Sequence, residues 1–159
     1  MKSKYFRYII TIFFLGFISG SVIAQDLEKG KLKELVQNKN FVFKAQTASP
    51  MSGTIRQLTG EYDVRVIGDS IVSFLPYFGR AYTAPMPGQS GGIQFTSTGF
   101  AYKTKERKKG GWEITILPKN AGDVRQMFLT VSEKGYATLQ VTTNNRQPIS
   151  FSGYIVERK

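Results

Sequence analysis

The sequence predicts a mainly β protein: an antiparallel β-barrel or two-layer β meander of about eight to nine strands with one N-terminal helix. Three observations predict it. Apolar and polar residues alternate with a period of two over most of the chain after Asn40. Glycine- and asparagine-rich turn signals separate these runs at intervals of roughly ten residues. Cysteine is absent, so burial alone must hold the fold, which suits a sheet that closes or doubles rather than a disulfide-stapled scaffold.

Asp26 to Lys39 is the one helical stretch. Leu27, Leu32, Leu35 and Val36 form a narrow apolar stripe among Lys and Glu, and Asp26 is placed to cap it. Gly30 in its middle costs about 1 kcal/mol relative to Ala, so the helix must lean on the body of the protein. After Asn40 the period changes. Phe41, Phe43 and Ala45 alternate with Val42, Lys44 and Gln46, and Tyr62, Val64 and Val66 alternate with Glu61, Asp63 and Arg65. Gly68-Asp69 reads as a tight hairpin turn into Ser70 to Leu75. Phe100 and Tyr102 lead through Lys103 and Lys105 to a turn at 108–111, and Trp112, Ile114 and Ile116 return from it. Met127, Leu129 and Val131 run to Glu133-Lys134-Gly135, a three-residue turn with Gly where a left-handed residue is wanted. Ala137, Leu139 and Val141 run to a turn at 144–147, and Ile149, Phe151, Gly153 and Ile155 close the chain. A helix covering a sheet edge or an open barrel end fits this order. Two irregular stretches remain, Ser49 to Thr59 and Pro76 to Gly92, and loops of that length in a compact domain tend to carry function.

The first 25 residues have the three parts of a secretory signal. Lys2, Lys4 and Arg7 precede an apolar run from Tyr8 to Ile18, Ser19-Gly20-Ser21 breaks it, and Val22-Ile23-Ala24 offers a cleavage site. A transmembrane anchor is the rival reading, but a span needs about 20 apolar residues. The expected organisation is therefore a signal peptide over residues 1–24, cleaved after Ala24, a helical lead over 25–39, and a single β-rich domain over 40–159. The processed protein is expected in the periplasm or secreted, with no membrane span after cleavage. No cysteine stands near the cut for lipid attachment.

The chain carries 22 Lys and Arg against 11 Asp and Glu. Loss of the leader removes three cations and leaves a net charge of +8. Such a surface suits an anionic envelope component, an acidic glycan or an acidic protein, or it serves solubility alone. Export argues against nucleic acid as a partner.

Histidine and cysteine are both missing. Nucleophilic systems that need an imidazole base, and zinc sites built from imidazole and thiolate, are excluded. No glycine-rich phosphate loop precedes a helix, and no segment has the clustered acids of a calcium loop. No cofactor or metal is expected, and the protein reads as a non-enzyme. Glu61 and Asp63, two apart on a strand, have the spacing of a glycosidase pair, but a solvated strand face is the favoured reading. The run from Lys103 to Lys109 reads either as the protected polar tip of a hairpin or as a contact for an anionic surface.

The stretch Leu75 to Tyr82 is the most informative. Tyr77, Phe78, Gly79, Arg80 and Tyr82 put three aromatics, a glycine and an arginine where a strand ends. The rings offer faces for a sugar or acyl chain, and Arg80 a fork for a carboxylate or phosphate. The same residues can instead plug one end of the barrel, and the two readings can coexist.

The strings LPYFGRAY (75–82), GGIQF (91–95), GYATL (135–139) and NRQPISFSG (145–153) resemble a family of exported Bacteroidetes proteins classed as a domain of unknown function. The resemblance spans about Asn40 to Ile155. It implies an exported, β-rich domain and brings no activity, cofactor or catalytic residue. Three functions follow as expectations. The first is an exported non-enzymatic binding or accessory domain of the cell envelope, holding an apolar small molecule or glycan-like ligand at the 75–92 loop. The second is an envelope structural or inhibitor-like interaction module using a sheet edge or the basic hairpin, and the third a carboxylate-dependent glycan enzyme.

Overall fold

The computed structural model describes residues 30–82 and 91–158. The expected leader and cleavage site, residues 26–29 of the expected helix, and residues 83–90 and 159 lie outside these ranges. Helix α1 is described over residues 30–37. Ten strands follow: β1 (Asn40–Pro50), β2 (Arg56–Gln57), β3 (Asp63–Ile67), β4 (Ser70–Leu75), β5 (Ile93–Thr98), β6 (Phe100–Glu106), β7 (Trp112–Pro118), β8 (Val124–Val131), β9 (Tyr136–Thr143) and β10 (Ile149–Val156).

All of them join one antiparallel sheet in the order β5-β4-β3-β1-β10-β9-β8-β7-β6, with β2 beside β1. The two outermost strands, β5 and β6, are separated in sequence by Gly99 alone, so the sheet curls into a nearly closed barrel whose ends meet at one residue. The Gly99 N–H donates to Asp69 O and the Lys119 N–H donates to Gly99 O, which ties this corner to both sides of the seam. Ser97, buried in the wall, donates to the carbonyl of Lys119 and adds to the tie.

The period-two pattern fills the interior. Phe41 and Phe43 on β1, Val64 and Val66 on β3, Ile71 and Leu75 on β4, Trp112, Ile114 and Ile116 on β7, and Leu139 and Val141 on β9 are all buried in one continuous core. Burial of each large apolar side chain contributes roughly 1.5–3 kcal/mol. Beyond Ala45 the β1–β10 register shifts, a bulge that bends the strand. There β1 lies so close to β10 that a Cβ on Gly153 would run into the Lys44 carbonyl oxygen. Only glycine fits.

Antiparallel pairing sorts the connections into two ends. One end holds α1, the β3–β4 turn, the β6–β7 and β8–β9 turns and the end of β10. At this end Leu35 and Val36 enter the core, Leu32 lies against Gly135, and the Tyr102 hydroxyl donates to Val36 O at 2.8 Å. Burial pushes the Tyr102 phenol well above its ordinary range. The expected helix therefore does cover an open end. The opposite end holds the 51–62 connection, residues 76–82 and 91–92, the β7–β8 connection and the β9–β10 turn.

The expected solvated face of β3 needs correction at Asp63. Its side chain is buried, because Lys44 on β1 and Phe74 on β4 flank it in register and Tyr62 stacks on Phe74 with ring centroids 5.7 Å apart. Glu61 stays exposed just before the strand.

Candidate functional site

The loop end is built by the segment that follows β4. After Leu75 the chain turns back across the barrel mouth and docks on the β9–β10 turn. Ala81 and Arg146 form a single antiparallel bridge, with the Tyr82 N–H donating to Asn145 O and the Gln147 N–H donating to Arg80 O. The result is a strap over the barrel mouth.

Tyr77 packs against the core beneath this strap. Its hydroxyl lies 2.9 Å from Arg80 O and 3.0 Å from Gln147 O, so one proton is shared between two carbonyls of the docked segments. Burial raises the Tyr77 phenol above its ordinary value, against the opposing pull of the nearby Arg146 charge. A side chain at position 79 would meet the Tyr77 hydroxyl at 2.5 Å, which is why glycine stands there.

Arg146 is the organiser that the sequence did not mark. Its Nε and Nη2 donate to the two carboxylate oxygens of Asp123 at 2.8 and 2.7 Å, a bidentate pair at a mostly buried site. Its Nη1 donates to Gly92 O at 3.0 Å, and its guanidinium lies 4.6 Å from the centre of the Tyr77 ring. One side chain thus joins the β7–β8 connection, the far end of the 76–92 loop and the strap. An arginine in an asparagine-rich turn and an aspartate in another turn gave no sign of this pairing.

The other residues of the predicted site face outward. Phe78 and Tyr82 are exposed, Tyr82 at 64%. Arg56 lies over the Phe78 ring at 5.0 Å, and the Arg80 side chain is exposed with no ion pair among the described residues. Met51 and Ile55, in the loop that carries Arg56, are also exposed. The five predicted residues therefore divide. Tyr77 and Gly79 build the plug, whereas Phe78, Arg80 and Tyr82 form an aromatic and cationic surface on top of it.

The carboxylate pair has a different environment. Lys44 bridges Glu61 at 2.8 Å and Asp63 at 3.3 Å, and Arg65 Nη2 reaches Asp63 at 3.1 Å. The hydrogen bond to Glu61 is the main cause that raises the Lys44 ammonium above its ordinary value. A concavity of about 430 Å³ lies at the helix end, lined by Lys33, Glu106, Arg107, Lys108, Trp112 and Glu133. Among the described residues no group of three or more acids could hold a metal ion, and no helix is long and apolar enough to cross a membrane.

A nearly closed antiparallel barrel, helix-capped at one end and strapped at the other, defines the class of this domain. The chain belongs to the family described as domain of unknown function DUF4251, whose family model matches residues 24–155. Three solved chains match it. One is the crystal structure of a DUF4251 family protein from Bacteroides eggerthii DSM 20697, 20% identical, with a TM-score of 0.61 over 82% of this chain and 88% of that one. At that identity the likeness bears on the fold. No curated protein matches the sequence.

Proposed function

We infer that this is an exported, non-enzymatic binding domain of the cell envelope that holds a glycan-like ligand on the outer surface of the strap. The carrying observation is the pair of exposed rings, Phe78 and Tyr82, beside Arg56 and Arg80 on a segment anchored at its base by Tyr77 and Arg146. Exposed rings are expensive to leave in water, and a sugar face is the partner that suits a flat ring beside a hydrogen-bonding fork. Anchoring limits the ordering cost on binding. Export is supported by the tripartite leader ending at Ala24. The resemblance to exported Bacteroidetes domains supports it as well. The non-enzymatic reading is supported by the absence of histidine and cysteine and by the two cations that hold Asp63. Asp63 is also buried, which keeps its carboxylate from a substrate.

The test is a screen of purified protein against neutral and acidic cell-envelope glycans, read by native mass spectrometry. Binding should fall by roughly tenfold or more in Phe78→Ala and Tyr82→Ala with the melting temperature unchanged. Acidic glycans alone should also lose affinity in Arg80→Ala. Binding that survives all three substitutions would remove the strap as the site. Turnover of a glycan that is lost in Glu61→Gln and Asp63→Asn would overturn the non-enzymatic reading.

A further inference from the structure

The concavity of about 430 Å³ at the helix end has the volume of a small-molecule site and stands apart from the strap, at the other end of the barrel. The chain makes room for it by keeping the β6–β7 turn thin. Gly110 and Gly111 both take the left-handed angle, φ 85°. A Cβ on Gly110 would meet the Glu133 carboxyl group, and one on Gly111 would strike Val131 O. The Arg107 N–H donates to Gly111 O and the Gly110 N–H to Arg107 O, which closes the turn. Arg107 and Lys108 of this turn and Lys33 of the helix bring three cations to the concavity.

Trp112 lines the same concavity although only 4% of the residue is exposed. Its buried indole N–H meets no acceptor among the described residues. A buried donor left in that state costs about 1–3 kcal/mol, and folded proteins keep few of them. The acids of the wall are engaged otherwise: Glu106 pairs with Lys33 at 3.0 Å, and Glu133 has its own partner. Two of the cations are less committed. Arg107 approaches Glu113 at 3.6 Å, too far for a hydrogen bond, and Lys108 has no ion pair among the described residues.

We propose that this concavity binds a small molecule bearing a carboxylate or phosphate group, held by Arg107 and Lys108 and accepting a hydrogen bond from the Trp112 indole. The guanidinium supplies a fork for two oxygens of the anion, and Lys108 a point charge beside it. An indole nitrogen is a donor only, so it calls for an acceptor and gives nothing to an ammonium group. Lys33 and Lys108 are long, exposed side chains whose rotamers exchange rapidly, so they can part to let an oxygen reach the indole. Because the ligand would touch both the helix and the hairpin, it would also fasten the helix lid to the sheet.

Trp112 is the only tryptophan in the chain, so its fluorescence and its single indole N–H resonance report on this site alone. The test titrates the purified full protein with succinate, with glucose 6-phosphate and with glucose. A saturable change in fluorescence is expected with succinate or glucose 6-phosphate, the tighter of the two showing which anion the site prefers. The indole proton resonance should move downfield in the same titration, and glucose should have no effect. The double variant Arg107→Gln/Lys108→Gln should raise Kd by roughly tenfold or more with the melting temperature unchanged. Trp112→Phe, which keeps a ring and removes the donor, should weaken binding measured by calorimetry. Absence of a saturable response to either anion, an equal response to glucose, or an indole resonance that stays in place at saturation would each overturn the proposal.

Discussion

The two ends of the barrel are closed by different chemistry. At the helix end the lid is mainly apolar: Leu35 and Val36 sit in the core, and a hydrogen bond from Tyr102 to Val36 O adds to their hold on the helix C-terminus. At the loop end the lid is polar, a strap held by Arg146, Asp123 and the Tyr77 hydroxyl. An apolar lid draws its strength from burial and tolerates small shifts. A polar lid depends on geometry, because each donor must meet a particular acceptor. The contrast teaches why exposed aromatics occur on one lid. A strap whose position is fixed by hydrogen bonds at its base leaves the side chains above it free of structural duty, and those are Phe78, Arg80 and Tyr82.

The strongest way to break the comparison is Val36→Asp, which puts an unpaired carboxylate into the helix lid. A loss of about 4 kcal/mol or more is expected, read as the shift in urea midpoint, and the loop end should unfold with it in one transition. Arg146→Ala comes next. It strands Asp123 at a mostly buried site and frees the strap, for an expected cost of about 2–3 kcal/mol. Hydrogen exchange should then show early opening of 76–82 and 144–148 while the helix end keeps its protection.

Tyr102→Phe sharpens the comparison through pH. At neutral pH the loss of its bond to Val36 O should cost about 1 kcal/mol. Because the fold raises the phenol above its ordinary value, the folded chain keeps that proton where the unfolded chain has lost it. Stability from this group is therefore complete below the usual tyrosine range and declines as pH rises above it. Between pH 9 and 11 the variant should lose less stability than the parent, the remaining alkaline slope coming in part from Tyr77, whose phenol is raised in the same sense. The smallest effect belongs to Phe78→Ala and Tyr82→Ala, each within about 0.5 kcal/mol of the parent in stability.

The strands were legible because each inward face reads as a simple alternation. Gly68-Asp69 was placed in the right turn, Ser70 to Leu75 matched β4 end to end, and Gly135 has the left-handed angle its turn requires, φ 81°. The helix was legible as a lid because its apolar stripe was too narrow to stand alone. Two-residue β2 was not, since Arg56 and Gln57 carry no period, and it exists only because β1 runs past the end of β3 and offers a free ladder. The strap was half legible. Local composition marked 75–82 as unusual, but assigning Tyr77 and Gly79 to the plug required Arg146, which is distant in sequence from both. The burial of Asp63 was hidden for the same reason: its cover comes from β1 and β4, across the sheet.

The central position of β1, with β3 on one flank and β10 on the other, has a consequence for assembly. A chain that emerges amino end first exposes Phe41 and Phe43 early, yet one of their two neighbouring strands is the last to arrive. The β3–β4 hairpin can form beside β1 at once, whereas the other half of the wall must wait for Ile149–Val156. Until then β1 presents an unpaired ladder to anything nearby, which makes the final eight-residue strand the latch on which avoiding aggregation depends.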